Sequence, residues 1–179
     1  MTIFITMLRG INVSGQKKIK MEDLKKHYES LNFDQVQTYI QSGNVIFNTT
    51  LQDTSEIVNR IKNKINQEFG FEVTVIVRTP EELKDVVDNN PYSERDLSKV
   101  LVTLLSDDQY DYSIDELLKA KTDQEEFTIM GKEIYLFLPH GSGRTKLTNN
   151  FFEKKLGVKA TTRNWRTVNK ILEIAQSVK

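Results

Sequence analysis

Two short stretches concentrate the side chains capable of chemistry, Gly141-Ser-Gly-Arg-Thr-Lys146 and Thr161-Thr-Arg-Asn-Trp-Arg166. Each places two cations where the local pattern predicts a helix start. A helix N-terminus already carries partial positive charge from its aligned peptide dipoles and free N–H groups. Lys and Arg there oppose that field unless an anion sits nearby. Arg144 and Arg163 are therefore expected to clamp a phosphate or carboxylate through paired N–H groups, with Lys146 and Asn164 beside them. Ile134 to Leu138 followed by Pro-His-Gly-Ser-Gly reads as strand, glycine-rich turn and helix, an arrangement that phosphate sites use. The Gly-Lys-Ser/Thr ending of a Walker loop is absent, and so is the third glycine of a dinucleotide fingerprint. His140 lies in this turn and is the one histidine placed for chemistry. His27 falls between the apolar helix positions Leu24 and Tyr28.

A second polar group emerges only through topology. The apolar run Ile3–Leu8 predicts a strand, and Arg9-Gly-Ile-Asn-Val-Ser-Gly a loop after it. Val36 to Gln41 predicts another strand, closed by Ser42-Gly43-Asn44. A right-handed crossover helix joins the two strands, so they run parallel and end at one edge of the sheet. Arg9, Gly10 and Asn12 are thereby expected beside Gln41, Ser42, Gly43 and Asn44. Glycine lets backbone approach a ligand, and strand ends of open sheets commonly bind one.

The elements that must position these groups follow from periodicity. Met21, Leu24, Tyr28 and Leu31 form one apolar face of a helix. Val45–Phe47 completes a hairpin. Thr54 or Ser55 is placed to cap a helix with Ile57, Val58, Ile61 and Ile65 inward, ending near Gly70. Phe71–Val77 alternates as a fourth strand. Thr79-Pro-Glu-Glu82 carries a capping box for a connecting helix. A second set follows: a strand at Val100–Leu105, a helix from Ser113 to Ala120, and a hairpin of Phe127–Met130 and Ile134–Leu138. A helix from Leu147 to Leu156, a short extended segment Ala160–Thr162 and a last helix capped by Asn164 complete it, with Trp165 as a core anchor. The expected class is α+β, two ferredoxin-like split β-α-β halves in tandem, the second with a degraded last strand and a C-terminal helix added. The expected boundaries are residues 1–78, a connecting helix over 79–91, and 92–179 with the basic C-terminal region.

Composition narrows the class. The chain has 179 residues, 25 Lys plus Arg, 25 Asp plus Glu, two His and no Cys. That length allows one domain or two small ones. Without Cys there is no disulfide framework, thiol nucleophile or Cys-based metal site, which suits a reducing cytoplasm. No metal-ligand spacing occurs. Asp107-Asp108 with Asp111 lacks the Gly and Glu of a calcium loop and reads as a charged turn. The N-terminal apolar run lacks a basic leader and is too short to span a bilayer, so a membrane partner is not expected. No cofactor motif is present. Charge is uneven: Gly141–Lys170 holds eight cations against Glu153, and Pro80–Glu126 holds five against fourteen carboxylates. Such a dipole steers a charged ligand to one face, or the two segments neutralise each other.

Leu8-Arg-Gly-Ile-Asn-Val-Ser-Gly15, Thr38-Tyr-Ile-Gln-Ser-Gly-Asn44, Gly143-Arg-Thr-Lys-Leu-Thr-Asn-Asn-Phe-Phe-Glu-Lys-Lys-Leu-Gly157 and Thr161-Thr-Arg-Asn-Trp165 together resemble one bacterial family, the domain-of-unknown-function family 1697. The resemblance spans essentially the whole chain. Val13-Ser14-Gly15 stands where many members read Val-Gly-Gly, and Gly141-Ser142 where Gly-Tyr is frequent. The resemblance implies an α+β fold and a cytoplasmic bacterial protein, and supplies no activity. From the residues, the leading expectation is a protein that binds an anionic partner: a phosphorylated small molecule, a nucleotide or nucleic acid. One alternative is a protein–protein or homo-oligomeric module. The other is an enzyme in which Arg9 orients an anionic substrate, Asn12 and Asn44 polarise a carbonyl and Ser42 attacks. For that enzyme the chain supplies no general base apart from His140.

Overall fold

Fifteen apolar side chains from β-rich runs and four-residue helical repeats close the first core, and they dictate its elements. The computed structural model describes residues 1–107 and 112–178. These group into two compact units, Met1–Lys84 together with the residues from Lys170 on, and Asp85–Asn169. The first unit contains β1 (Thr2–Leu8), α1 (Met21–Glu29), β2 (Asp34–Tyr39), β3 (Asn44–Thr49), α2 (Thr54–Phe69) and β4 (Val75–Arg78). Its sheet has the order β2-β3-β1-β4, with every neighbouring pair antiparallel. Since β1 and β2 both oppose β3, they run parallel to each other with β3 between them. Ile57, Ile61 and Ile65 repeat at one helical turn and give α2 its buried stripe. The ring of Phe33 stacks on Phe47 at 4.4 Å, and Tyr28 meets Phe47 edge-on.

Pro80 opens α3 (Pro80–Asp88), which is followed by β5 (Val100–Leu105), α4 (Ile114–Leu118), β6 (Glu126–Met130), β7 (Glu133–Phe137), α5 (Asn149–Leu156), β8 (Ala160–Asn164) and α6 (Trp165–Ser177). The second sheet has the order β6-β7-β5-β8, again antiparallel throughout. The expected capping box of α3 is present: Thr79 N donates to Glu82 Oε2 at 2.8 Å, and Glu82 N to Thr79 Oγ1 at 3.2 Å.

The two sheets match in register around their central strands β1 and β5. Thr6 of β1 lies between Val45 and Val77, and Thr103 of β5 lies between Ile134 and Thr162. One residue further along the outer strand, Arg78 faces Ile5 and Arg163 faces Val102, and both arginines are buried. The last strand of the second sheet is therefore not degraded: β8 pairs with β5 over five positions. Nor is a trailing helix peculiar to the second set, because α3 follows β4 as α6 follows β8.

Several boundaries differ from the sequence expectation, each for a local reason. The cap of α2 is Asp53, whose carboxylate accepts from Ser55 N at 2.8 Å, rather than Thr54 or Ser55. β2 ends at Tyr39 because Ile40 turns to φ 50°, and a bulge with Gln35 at φ 50° breaks its register earlier. β4 starts at Val75 rather than Phe71. α5 starts at Asn149 rather than Leu147, because the Thr148 hydroxyl accepts from Phe151 N at 3.2 Å and caps it. Leu147 is spent as a buried anchor. α4 is shorter than the predicted span, with Ser113 at its cap position. Of the charged turn expected at 107–111, Asp108 and Asp111 lie outside the described residues.

Buried Tyr28 hydrogen-bonds its phenol to Thr6 Oγ1 at 2.9 Å. Tyr135 donates its phenol proton to Val86 O at 2.9 Å. Burial raises both phenols well above their ordinary value. A group whose folded pKa exceeds its unfolded one contributes stability that is complete below the unfolded pKa and is lost as pH rises through the folded one. Urea unfolding is thus expected to show falling stability above about pH 10, the unfolded tyrosine value. Tyr28→Phe should cost about 1 kcal/mol near neutral pH, the net value of one hydrogen bond. Its decline above that pH should be shallower than that of the native chain. Parallel declines would refute the assignment.

Candidate functional site

The loop between β1 and α1 carries five residues in the left-handed region, Gly10, Asn12, Ser14, Gly15 and Lys17. Three of these are not glycine, and a left-handed L-residue costs roughly 1–2 kcal/mol. The surroundings hold the loop in this shape. Leu8 N donates to Gly43 O at 2.9 Å and Arg9 N to Thr74 O at 3.0 Å, which anchors the strand end. The Asn12 side chain then closes the loop. Its Nδ2 donates to Ile19 O and Gln41 O, both at 2.9 Å, and its Oδ1 accepts from Ile19 N at 2.8 Å. Lys17 donates to Glu72 O at 2.7 Å while lying over the Phe71 ring.

The two loops expected to meet do meet. Asn12 bonds Gln41, and Gly43 packs so closely that an added Cβ would lie 2.7 Å from Ile11 Cδ1 and 2.8 Å from Leu8 Cβ. Asn44 is fully buried and donates to Tyr39 O at 3.0 Å and Ser42 Oγ at 2.9 Å. The amide hydrogens of Asn12 and Asn44 are directed at Ile19 O, Gln41 O, Tyr39 O and Ser42 Oγ. The Ser42 oxygen serves as an acceptor there.

An open groove of about 820 Å³ runs beside this loop, with Asn12 and Gln41 in its wall. Lys18 and Lys20 line it on the loop side, Glu22 and Asp23 on the first turn of α1, and Phe69 at the end of α2. Lys20 occupies the cap position of α1 and makes no side-chain cap. Glu22 pairs with Lys26 at 2.9 Å, and that lysine holds its carboxyl below the usual range. Sequence reasoning missed Lys18 and Lys20. Their signal was present in Gln16-Lys-Lys-Ile-Lys20, a basic run directly after the glycine-bearing loop.

The residues of the second expected cluster differ in burial and in local partners. Arg144 and Lys146 are exposed in the connection before α5. Arg163 is buried on β8, where its Nη1 donates to Thr161 Oγ1 and Thr162 O, both at 2.9 Å, and burial pulls its pKa down to about 10. Asn164 caps α6 by accepting from Thr167 N at 2.8 Å. The first turn of α5 carries Asn149, Asn150, Phe151 and Phe152 and no cation, whereas Lys154 and Lys155 stand in its last turn. The dipole favours cations at that end. The expected opposition between cations and a helix start is therefore absent from α5, because Thr148 starts the helix beyond Lys146. His140 hydrogen-bonds Gln124. Among the described residues no group of three or more His, Cys, Asp or Glu is placed to hold a metal, and no helix is long and apolar enough to cross a membrane.

Residues 1–135 match the model of a family described as "Protein of unknown function (DUF1697)". That span contains the groove and its loops and ends before the Gly141–Lys146 stretch. Among solved structures the chain is similar to the conserved bacterial protein SP0830 from Streptococcus pneumoniae, at 22% identity and a TM-score of 0.69, over 97% of this chain and 98% of that one. At that identity the likeness is one of fold. No curated protein matches the chain.

The close approach at Gly43 predicts a ranking of variants. Gly10 and Gly43 both have positive φ, but a Cβ at Gly10 meets nothing within 4 Å. Gly10→Ala should cost about 1 kcal/mol, the left-handed penalty alone. Gly43→Ala should cost about 2–4 kcal/mol, because overpacking adds to that penalty. Asn12→Ala should cost roughly 3 kcal/mol for three lost hydrogen bonds. Denaturant midpoints measure all three. Equal losses at Gly10 and Gly43 would remove the close-approach argument.

Proposed function

The chain belongs to this family of unknown function, and on that premise we propose that it binds a small anion-bearing molecule in the groove beside the β1–α1 loop. The observation that carries this reading is the loop itself. Asn12, Ser14 and Lys17 are held left-handed by bonds converging on Asn12, while Lys18 and Lys20 project from its end onto the groove. Backbone strain of this kind concentrates at binding sites, where it is part of preorganisation. Arg9, Gly10, Asn12, Gln41, Ser42, Gly43 and Asn44 serve in this reading as the frame, and Lys18 and Lys20 as the charge. The reading does not use Arg144, Lys146, Arg163 and Asn164, since the first two are exposed and the last two are engaged in β8 and at the cap of α6.

Each unit is further read as a ferredoxin-like split β-α-β, repeated in tandem. Support comes from the identical strand orders, the uniform antiparallel pairing and the matching register around Thr6 and Thr103. A bacterial cytoplasm is the proposed setting, supported by the absence of Cys and the bacterial origin of the similar solved structure.

Thermal unfolding of the full chain with inorganic pyrophosphate tests the binding reading. A ligand at a hundred times its Kd stabilises by about 2.7 kcal/mol, so a rise in Tm is expected. Replacing both lysines (Lys18→Ala with Lys20→Ala) should abolish the rise without lowering the unliganded Tm, since both side chains are exposed. The rise should shrink with added salt, because the exposed ammonium groups are screened. No shift in the native chain, or an equal shift in the double variant, would overturn the assignment.

A further inference from the structure

Resting on the anion-binding reading, we propose that the ligand of this groove is a nucleoside monophosphate. The lining is divided by chemistry rather than uniformly basic. Lys18 and Lys20 supply two ammonium groups on the loop side. Glu22 and Asp23 supply carboxylates on the α1 side, and Glu22 is already matched by Lys26 at 2.9 Å. Asp23 is left as the half-buried acceptor of that wall. Phe69 supplies an aromatic ring, fixed edge-on to His27 at 5.2 Å and tilted against Phe71 at 6.2 Å. The Gln41 side chain adds an amide, which offers both a donor and an acceptor.

An inorganic anion would use only the lysines. A nucleoside monophosphate uses each part of the lining. Its phosphate pairs with Lys18 and Lys20, its sugar hydroxyls donate to Asp23, and its base lies on Phe69 with an edge towards Gln41. Aromatic side chains stack any base, because every base has a π-face. The volume of about 820 Å³ lies within the range of small-molecule sites. The Asp23 carboxylate also argues for a single nucleotide over a strand. A polynucleotide would carry its flanking phosphates past Asp23, against its charge.

Calorimetric titration of the full chain with adenosine 5′-monophosphate and with inorganic phosphate tests this assignment. Adenosine monophosphate is expected to bind at least tenfold more tightly than phosphate. Phe69→Leu should remove that advantage and leave phosphate affinity unchanged, and Phe69→Tyr should keep it. Asp23→Asn should weaken the nucleotide several-fold without weakening phosphate. Gln41→Ala changes an exposed side chain, so it reports on the base contact even if Phe69→Leu fails to fold, and it should lower nucleotide affinity alone. Equal affinities for nucleotide and phosphate would overturn the nucleotide assignment while leaving the anion reading in place. Tighter binding of a short oligonucleotide would overturn it as well. Binding of neither ligand would overturn both readings.

Discussion

The close approach of two chain reversals beside β1 is the constraint on which the groove depends. Gly43 sits against Leu8 and Ile11 with no space for a methyl group, and Asn12 reaches across to Gln41 O. Neither contact is strong alone, since a net hydrogen bond contributes only about 1 kcal/mol. Together they fix where the loop from Arg9 to Lys20 leaves the sheet. That exit fixes where Lys18, Lys20 and the start of α1 stand. The loop is polar and irregular, so its shape comes from this frame rather than from a core of its own. Ile11 and Ile19 are its buried apolar anchors, at opposite ends of the span that Asn12 closes.

Strands and helices were legible wherever one physical signal dominated. Val100–Leu105 is an apolar run broken only by the β-branched Thr103, and it emerges with the expected ends. The capping box at Thr79 and Glu82 was readable because both partners lie in one turn. The juxtaposition of Asn12 with Gln41 was readable through topology, since parallel strands joined by a crossover must end together. Boundaries failed where two signals competed. Leu147 continues the apolar period of α5, yet Thr148 caps the helix after it, and the hydroxyl determines the start. Ile40 and Gln41 extend the apparent strand, yet Ile40 at φ 50° belongs to the turn. A β-branched residue in that conformation is disfavoured locally and is imposed by the tertiary structure.

Charge was the least legible quantity, because a linear count ignores pairing and burial. The basic stretch from Gly141 to Lys170 loses Arg163 to the interior of β8 and Lys155 to an ion pair with Glu116. Lys170 pairs with Glu173, which lies just beyond the counted window. The acidic stretch is reduced likewise, with Glu126 bonded to Arg95 and Glu82 spent on Thr79 N. The groove lysines escaped notice for the opposite reason. Their local run is short and two carboxylates, Glu22 and Asp23, follow it closely, yet folding places Lys18 and Lys20 on the wall of the groove.

The two units differ beside their sheets, and the difference follows from comparing equivalent positions. The strand ends repeat at the level of single hydrogen bonds. Leu8 N to Gly43 O has its counterpart in Leu105 N to Lys132 O at 2.8 Å, and Arg9 N to Thr74 O in Ser106 N to Lys159 O at 2.8 Å. The hairpins differ at that point. β2 and β3 are joined by Ile40–Gly43, and β6 and β7 by Gly131 and Lys132 alone. The longer turn supplies the Gln41 carbonyl that Asn12 grips and the glycine against which Ile11 packs. In the second sheet Lys132 stands where Gly43 does, so the same close packing is sterically closed to it. Sheets of equivalent strand order thus present different edges, and the two additional residues of one hairpin supply the contacts that hold the strained loop beside the groove.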